Sequence, residues 1–332
     1  MAGLLGDEDR ERAEWRRAEA NAEDLPEELV VQIRAGGLLA QGRAEEAARL
    51  YAPVVERDQA HTERALRLAR MLREARLFAE GRRSLDGLPP ASQRHPAVLL
   101  ARADLAYATA DDKEALAAAR DAAARAQERG SLHLLGEARQ REGRSLAELG
   151  RFEEAQRALE TASDAFRALG ETVLEVQANV RRGELAETRG DLTAARALYE
   201  EQAGAARRVG ATRVAHWAEA RAASCALYTG DGAAAKAHAR EVLRGRPGAA
   251  ARLVAQVVLG GAAVLEGRGP AARRDLSALV AALEANNDPG RLEPQAWLAL
   301  AHAQSGSAAE AFRGARAVDA AVESMSTGPA KP

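Results

Sequence analysis

The stretch Gly143-Arg-Ser-Leu-Ala-Glu-Leu-Gly-Arg-Phe-Glu-Glu-Ala155 decides the fold. It carries a glycine at position 150, a small residue seven positions before it and an alanine five positions after it. The same three-point pattern returns as Gly183, Gly190 and Ala195, and again as Ala223, Gly230 and Ala235, at intervals of 40 residues. Self-similarity at a fixed period of tens of residues marks a repeat array, in which each unit packs on its neighbours.

Used as a ruler, the pattern extends in both directions. The equivalent turn positions are Gly42, Arg76, Ala110, Gly150, Gly190, Gly230, Gly267 and Gly306, and all sixteen flanking positions hold Ala or Gly. A small residue in one helix facing a small residue in the next lets two backbones approach closely, and the glycine turns the chain between them. Tyr51, Leu85, Leu159, Tyr199 and Leu276 lie four positions past the alanine column, on the same helix face, where they fill the remaining layers. Phe78, Phe152 and Leu192 sit just past the turns, where they can wedge between hairpins. The reading is an all-α solenoid of stacked antiparallel helix hairpins.

These residues resemble tetratricopeptide repeats. The resemblance rests on Gly143 to Ala155 and on Gly183-Glu-Leu-Ala-Glu-Thr-Arg-Gly-Asp-Leu-Thr-Ala-Ala195, and it covers residues 28–322 as about eight units. Arg76 and Ala110 replace the turn glycine in two of them, and the proline that often closes a unit is mostly missing. The first two intervals are 34 residues, the family's standard length, and the next three are 40. Six extra residues make about a turn and a half of helix, and Gly130, Gly170 and Gly210 recur as C-terminal caps, so a longer second helix is expected. The resemblance implies a right-handed superhelix with the first helices lining a concave groove.

Residues 1–27 read as a charged, polar lead-in with Trp15 as its sizeable anchor, and residues 323–332 as a disordered tail. The composition suits an all-α array, being 47% hydrophobic but only 3% aromatic and rich in alanine. The net charge of −2 argues against general affinity for nucleic acid or anionic lipid. Cys225 is the single cysteine, so no intramolecular disulfide can form. With neither a signal-like start nor a long apolar run, a cytoplasmic location is expected.

The search for chemistry returns no constellation. There is no Walker loop, no His-Glu-x-x-His pair and no Cys-x-x-Cys, and the six histidines are scattered over different units. His302 stands in a column held elsewhere by Leu38, Leu72 and Leu146, which suits packing better than ligation. Cys225 reads as a buried, inert thiol. No cofactor and no metal are expected, and the chain reads as a non-enzyme.

What remains is surface. One first-helix column reads Arg67, Ala101, Arg141, Arg181 and Arg221, and the column one turn on reads Arg70, Asp104, Arg144, Glu184 and Ser224. Gln140 and Gln177 add amides, and Tyr107, Trp217 and Tyr228 add flat faces. Guanidinium forks pair bidentately with carboxylates, so the candidate partner is a protein or peptide segment that is acidic or mixed in charge. Arginine is so common here that solvation of the groove is an equal alternative for such a column, and the outward column Arg49, Arg83, Arg157, Arg274 and Arg313 is richer, with five arginines against four. The lysine and asparagine that the family uses to clamp a terminal carboxylate are replaced by Gln32 and Gly36 in the first unit.

Three functions follow from this sequence. The leading one is a non-catalytic interaction scaffold, followed by a peptide-responsive regulatory sensor whose superhelix changes curvature, and then an enzyme. The acidic segment 7–24 is a candidate placeholder for the arginine-lined groove. The helix around Val254, Val257, Val258, Gly261, Val264 and Leu265 is apolar nearly all round and must be covered, either by the last hairpin or in a homodimer.

Overall fold

A computed structural model describes residues 8–22, 24–285 and 289–326. Among them the chain is helical throughout: α1 (Glu8–Ala20), α2 (Glu27–Ala40), α3 (Ala44–Glu56), α4 (Thr62–Glu74), α5 (Phe78–Asp86), α6 (Pro90–Gln93), α7 (Pro96–Ala108), α8 (Asp112–Glu128) and α9 (Leu132–Glu148). These are followed by α10 (Phe152–Ala168), α11 (Thr172–Thr188), α12 (Leu192–Arg208), α13 (Thr212–Tyr228), α14 (Gly232–Arg244), α15 (Ala249–Leu265), α16 (Gly269–Ala285), α17 (Leu292–Gln304) and α18 (Ala308–Ser326). A short 3-10 turn at Pro289–Arg291 precedes α17. The helices fall into two compact units, residues 1–190 with 204–214 and residues 191–203 with 215–332.

Within each hairpin the turn is built from backbone. At Gly150 (φ 71°) the helix ends in the left-handed conformation, with Gly150 N–H donating to Ala147 O at 3.0 Å and Arg151 N–H donating to Leu146 O at 2.8 Å. This is the Schellman pairing, which satisfies carbonyls that a helix end leaves orphaned. Arg76 (φ 59°) and Ala110 (φ 55°) take the same conformation without a glycine. Asp111 and Asp231 then cap the following helices, each accepting from the amide three residues on, Glu114 N–H at 3.1 Å and Ala234 N–H at 3.0 Å.

The longer repeat does not lengthen the second helix alone. In the 34-residue step α3 and α4 have 13 residues each, and in the 40-residue step α8 and α9 have 17 each. Four residues enter each helix, and the connection between them shortens from residues 57–61 to 129–131. Gly130 (φ 66°) makes that tight connection possible, which is why both helices grow together.

The small columns are the close-packed seams. Ala35, Ala69, Ala103 and Ala223 are buried, as are Ala47, Ala115, Ala155, Ala195 and Ala235. A β-carbon at Gly143 would lie 2.6 Å from Leu159 Cγ, so the glycine there is a packing requirement. Tyr51, Leu85, Leu159, Tyr199 and Leu276 are fully buried in the layers the pattern assigns them. In the first unit Tyr51 is surrounded by Ala35, Ala48, Leu68 and Leu72.

In the second unit the core gathers around α15, whose Ala255, Val258, Ala262 and Val264 meet Leu227, Val242, Leu276 and Trp297. Most of this apolar helix is thus covered inside its own unit, with Trp297 packed onto Gly261, while Leu265 at its end is 60% exposed. Helix α1 packs on α2, where Trp15 occupies the space above Gly36 and Arg12 Nε donates to Ala40 O at 3.3 Å. The segment expected to screen the arginines therefore lies on α2, one hairpin ahead of Arg67 and Arg70. Helix α18 runs through residue 322 to Ser326, and the tail expected at 323–332 falls largely outside the described residues.

Candidate first-helix binding face

The first helices of the hairpins in the first unit are α2, α4, α7, α9 and α11. The face they share reads Glu63, Arg67, Arg70 and Glu74 on α4, Ala97, Ala101, Asp104 and Ala108 on α7, and Glu137, Arg141, Arg144 and Glu148 on α9. Two Glu-Arg-Arg-Glu helices thus flank one helix of small residues. Asp104, the only ionisable group among the four on α7, becomes the centre of the site.

Arg141 holds Asp104 with both prongs of its fork, Nε to Oδ1 at 3.0 Å and Nη2 to Oδ2 at 2.9 Å. Arg144 Nη2 donates to Oδ1 at 3.2 Å, and Arg73 Nη1 approaches Oδ2 at 3.0 Å from the other side. Three guanidinium groups from α4 and α9 therefore close on one carboxylate of 13% side-chain exposure. Burial opposes ionisation of Asp104, but the charges of Arg141, Arg73 and Arg144 outweigh it and hold the carboxyl below its ordinary range.

The rest of the cluster is ordered around this centre. The Arg144 guanidinium lies 3.6 Å from the centre of the Tyr107 ring, a close cation–π contact, and its buried Nε has no hydrogen-bond partner among the described residues. Burial lowers the pKa of Arg144, with the nearby charges of Arg141 and Arg181 adding to the effect. Tyr107 OH donates to Glu148 at 3.1 Å, and burial followed by that carboxylate raises its pKa. Arg181 pairs with Glu184 at 2.5 Å on α11 and is 45% exposed. Gln140 and Gln177 are half-buried on α9 and α11.

On α4, Arg67 pairs with Glu63 at 3.0 Å and leans toward the Tyr51 ring. Arg70 is exposed and has no hydrogen-bond or ion-pair partner among the described residues. The structure thus joins Tyr107, Arg141 and Arg144 into one cluster, with Arg181 beside it, and leaves Arg70 open. Arg73 and Glu148 belong to the cluster too, although they stand outside the columns that the repeat ruler picks out. The outward arginines Arg49, Arg83, Arg157, Arg274 and Arg313 are all exposed, as their column requires.

The second unit places the remaining three candidates apart. The Arg221 guanidinium lies 5.5 Å from the Trp217 ring centre on α13. Tyr228 stacks on Trp297 with ring centres 6.3 Å apart and donates its OH to Glu293 at 2.6 Å. Burial and that hydrogen bond push the phenol far above its usual range. Cys225 is buried. Among the described residues no cluster of His, Cys, Asp or Glu is arranged to hold a metal, and no helix is long and apolar enough to cross a membrane.

An array of consecutive helix hairpins, with small-residue seams and a polar first-helix face, defines an α-solenoid repeat protein. The tetratricopeptide repeat family model matches residues 38–105, and the fold of the array is that of tetratricopeptide-repeat solenoids. Solved structures agree on the fold across nearly the whole length. A Rap protein complexed with competence and sporulation factor is 12% identical, with 96% of this chain and 94% of that one covered and a TM-score of 0.63. NprR in complex with its cognate peptide NprX is 13% identical, with coverage of 92% and 87% and a TM-score of 0.56. A signal-transduction ATPase from Pyrococcus horikoshii with a tetratricopeptide repeat sensor is 11% identical, with coverage of 92% and 48% and a TM-score of 0.65. At these identities the likeness is one of fold. No curated protein matches the chain.

Proposed function

We propose that the chain is a non-catalytic protein-interaction scaffold that holds an acidic segment of a partner polypeptide along the first-helix face of its first unit. The observation that carries this reading is Arg70, exposed on α4 beside the small-residue strip of α7 and unpaired among the described residues. Ala97, Ala101 and Ala108 leave room for a backbone to lie close to α7, and Arg70 offers an unengaged guanidinium fork to a carboxylate there. Arg141 has a different part. Its fork is occupied by Asp104, so it fixes the floor, while Arg67, Arg144 and Arg181 offer their remaining N–H groups and Glu184, Gln140 and Gln177 add hydrogen bonds. A pre-ordered floor lowers the entropy cost of binding.

Selection of peptides from a random display library on wild type, Arg70→Glu and Arg49→Glu tests the reading. Enrichment of Asp- and Glu-containing peptides by wild type and Arg49→Glu, with loss on Arg70→Glu, is expected. Equal enrichment by all three proteins would overturn it.

A second reading is a peptide-responsive regulatory sensor. It is favoured by the shared fold with NprR, crystallised with its cognate peptide NprX, and with Rap, crystallised with competence and sporulation factor. Small-angle scattering with and without a selected peptide separates the two, because a scaffold keeps its dimensions and a sensor does not.

A further inference from the structure

We propose that His238 is a pH-sensitive clasp, which as an imidazolium ties α14 to both α12 and α13 and on losing its proton lets go of α12. The ring stands between two carboxylates in the second unit. Nδ1 lies 2.7 Å from Glu219 Oε1 on α13, and Nε2 lies 3.2 Å from Glu200 Oε1 on α12. A carboxylate only accepts hydrogen bonds, and a neutral imidazole has one N–H. Both contacts are therefore hydrogen bonds only when the ring carries both protons.

Loss of one proton has a defined outcome. The Nδ1 contact is the shorter of the two, 2.7 Å against 3.2 Å, and its carboxylate is the more buried, with Glu219 8% exposed as a residue, so the remaining proton stays on Nδ1. The Nε2 lone pair then faces the Glu200 carboxylate, and that contact turns repulsive. Glu200 is 40% exposed and already held by Arg196 Nε at 2.7 Å, so it can swing away. Arg196 also reaches Asp231, the cap of α14, at 3.0 Å.

Asp231, the cap of α14, also feels the charge of His238, and it is held in turn by Arg196 and by the Ala234 amide. On α14 itself, Lys236 is paired with Glu266 at the end of α15, which also engages Arg268. From α15, Arg252 turns to Pro247 O at 3.1 Å. Glu219 and Glu200 are the carboxylates in contact with His238, and they act in one direction. The hydrogen bond that His238 donates to Glu219 raises the pKa of His238 most, burial opposes it, and Glu200 adds to the rise. The sign follows. The stabilisation is fully present below the unfolded imidazole's pKa of about 6.5 and is lost as pH rises through the higher folded value.

The test uses the full chain labelled with 15N-histidine, together with hydrogen exchange corrected for its intrinsic pH dependence. His238 is expected to titrate above about 6.5 and to become the Nδ1–H tautomer when neutral. Protection of α12 amides around Glu200 should fall about five-fold across that titration, while those of α13 around Glu219 hold. Glu200→Gln, an exposed change that keeps the fold, should lower the titration and flatten the α12 response, and His238→Gln, which has no imidazole to titrate, should flatten the α12 response as well. Titration at or below 6.5, an Nε2–H neutral tautomer, or an unchanged α12 response in Glu200→Gln would each overturn the clasp.

Discussion

Trp15 of α1 fills the space left by the missing side chain of Gly36 on α2, so that a β-carbon at Gly36 would come within 2.3 Å of Trp15 Cη2. The neighbouring Gly37 has the same relationship to Glu19, whose Oε1 would lie 2.7 Å from such a carbon. A polar helix is thereby seated on the array by an indole, beside the hydrogen bond from Arg12 to Ala40 O. Gly36→Val should lift α1 from α2, seen as faster tryptic cleavage within Arg12 to Arg17. Units in such an array depend mainly on their neighbours, so α9 to α11 should keep their hydrogen-exchange protection. A uniform loss of protection would contradict this attachment.

The glycine seams make opposite predictions at two positions. Gly143→Ala puts a carbon 2.6 Å from Leu159 Cγ and 3.2 Å from Ala155 O, and the backbone oxygen cannot rotate away. It should cost about 1–3 kcal/mol in denaturant unfolding. Gly204, inside α12, would meet only the tip of Arg208 at 3.6 Å. Gly204→Ala should stabilise by about 0.5–1 kcal/mol through helix propensity.

Two turns hold a side chain where the others hold glycine. Ala110→Gly and Arg76→Gly relieve a left-handed conformation (φ 55° and 59°). Each should stabilise the fold by about 0.5–1 kcal/mol after the added freedom of the unfolded glycine is subtracted, read as a higher unfolding midpoint. Gly150→Ala should destabilise the fold by a similar amount.

The hairpins were legible in the sequence because their determinants are local and periodic. A glycine in the left-handed conformation, a small residue seven before and an alanine five after are visible on a line of letters, and so is the burial of Tyr51 or Leu159. The division of the six extra residues between two helices was less visible, because Gly130 marks where a helix ends and not where it begins. The Asp104 cluster was legible only in part. Arg141 and Arg144 stand in columns, but Arg73 reaches Asp104 from another hairpin across 31 residues, and no spacing within a repeat announces that contact. The seat of Trp15 on Gly36 has no periodicity at all.

Asp104 carries a prediction about pH. Its carboxyl is held below the ordinary range, so its stabilisation is present above about pH 3.9 and is lost as pH falls through the lower folded value. Asp104→Asn leaves three converging guanidinium groups without their counter-charge and should cost about 3 kcal/mol at pH 7. The gap between wild type and variant in urea unfolding should close on acidification. A gap that stays constant down to pH 2 would show that the ion cluster contributes no net charge stabilisation.

The turn at Gly150 rests on amide-to-carbonyl bonds from Gly150 to Ala147 and from Arg151 to Leu146, and Gly230 repeats it with Asp231 bonded to Ala226 at 2.9 Å. Arginine follows the glycine in one case and aspartate in the other, so the residue beside the seam is interchangeable. The 40-residue step is thus a unit of splicing. Removing residues 151–190 would join Gly150 to Asp191 through a connection the chain already uses, and would give a shorter array with every remaining turn intact.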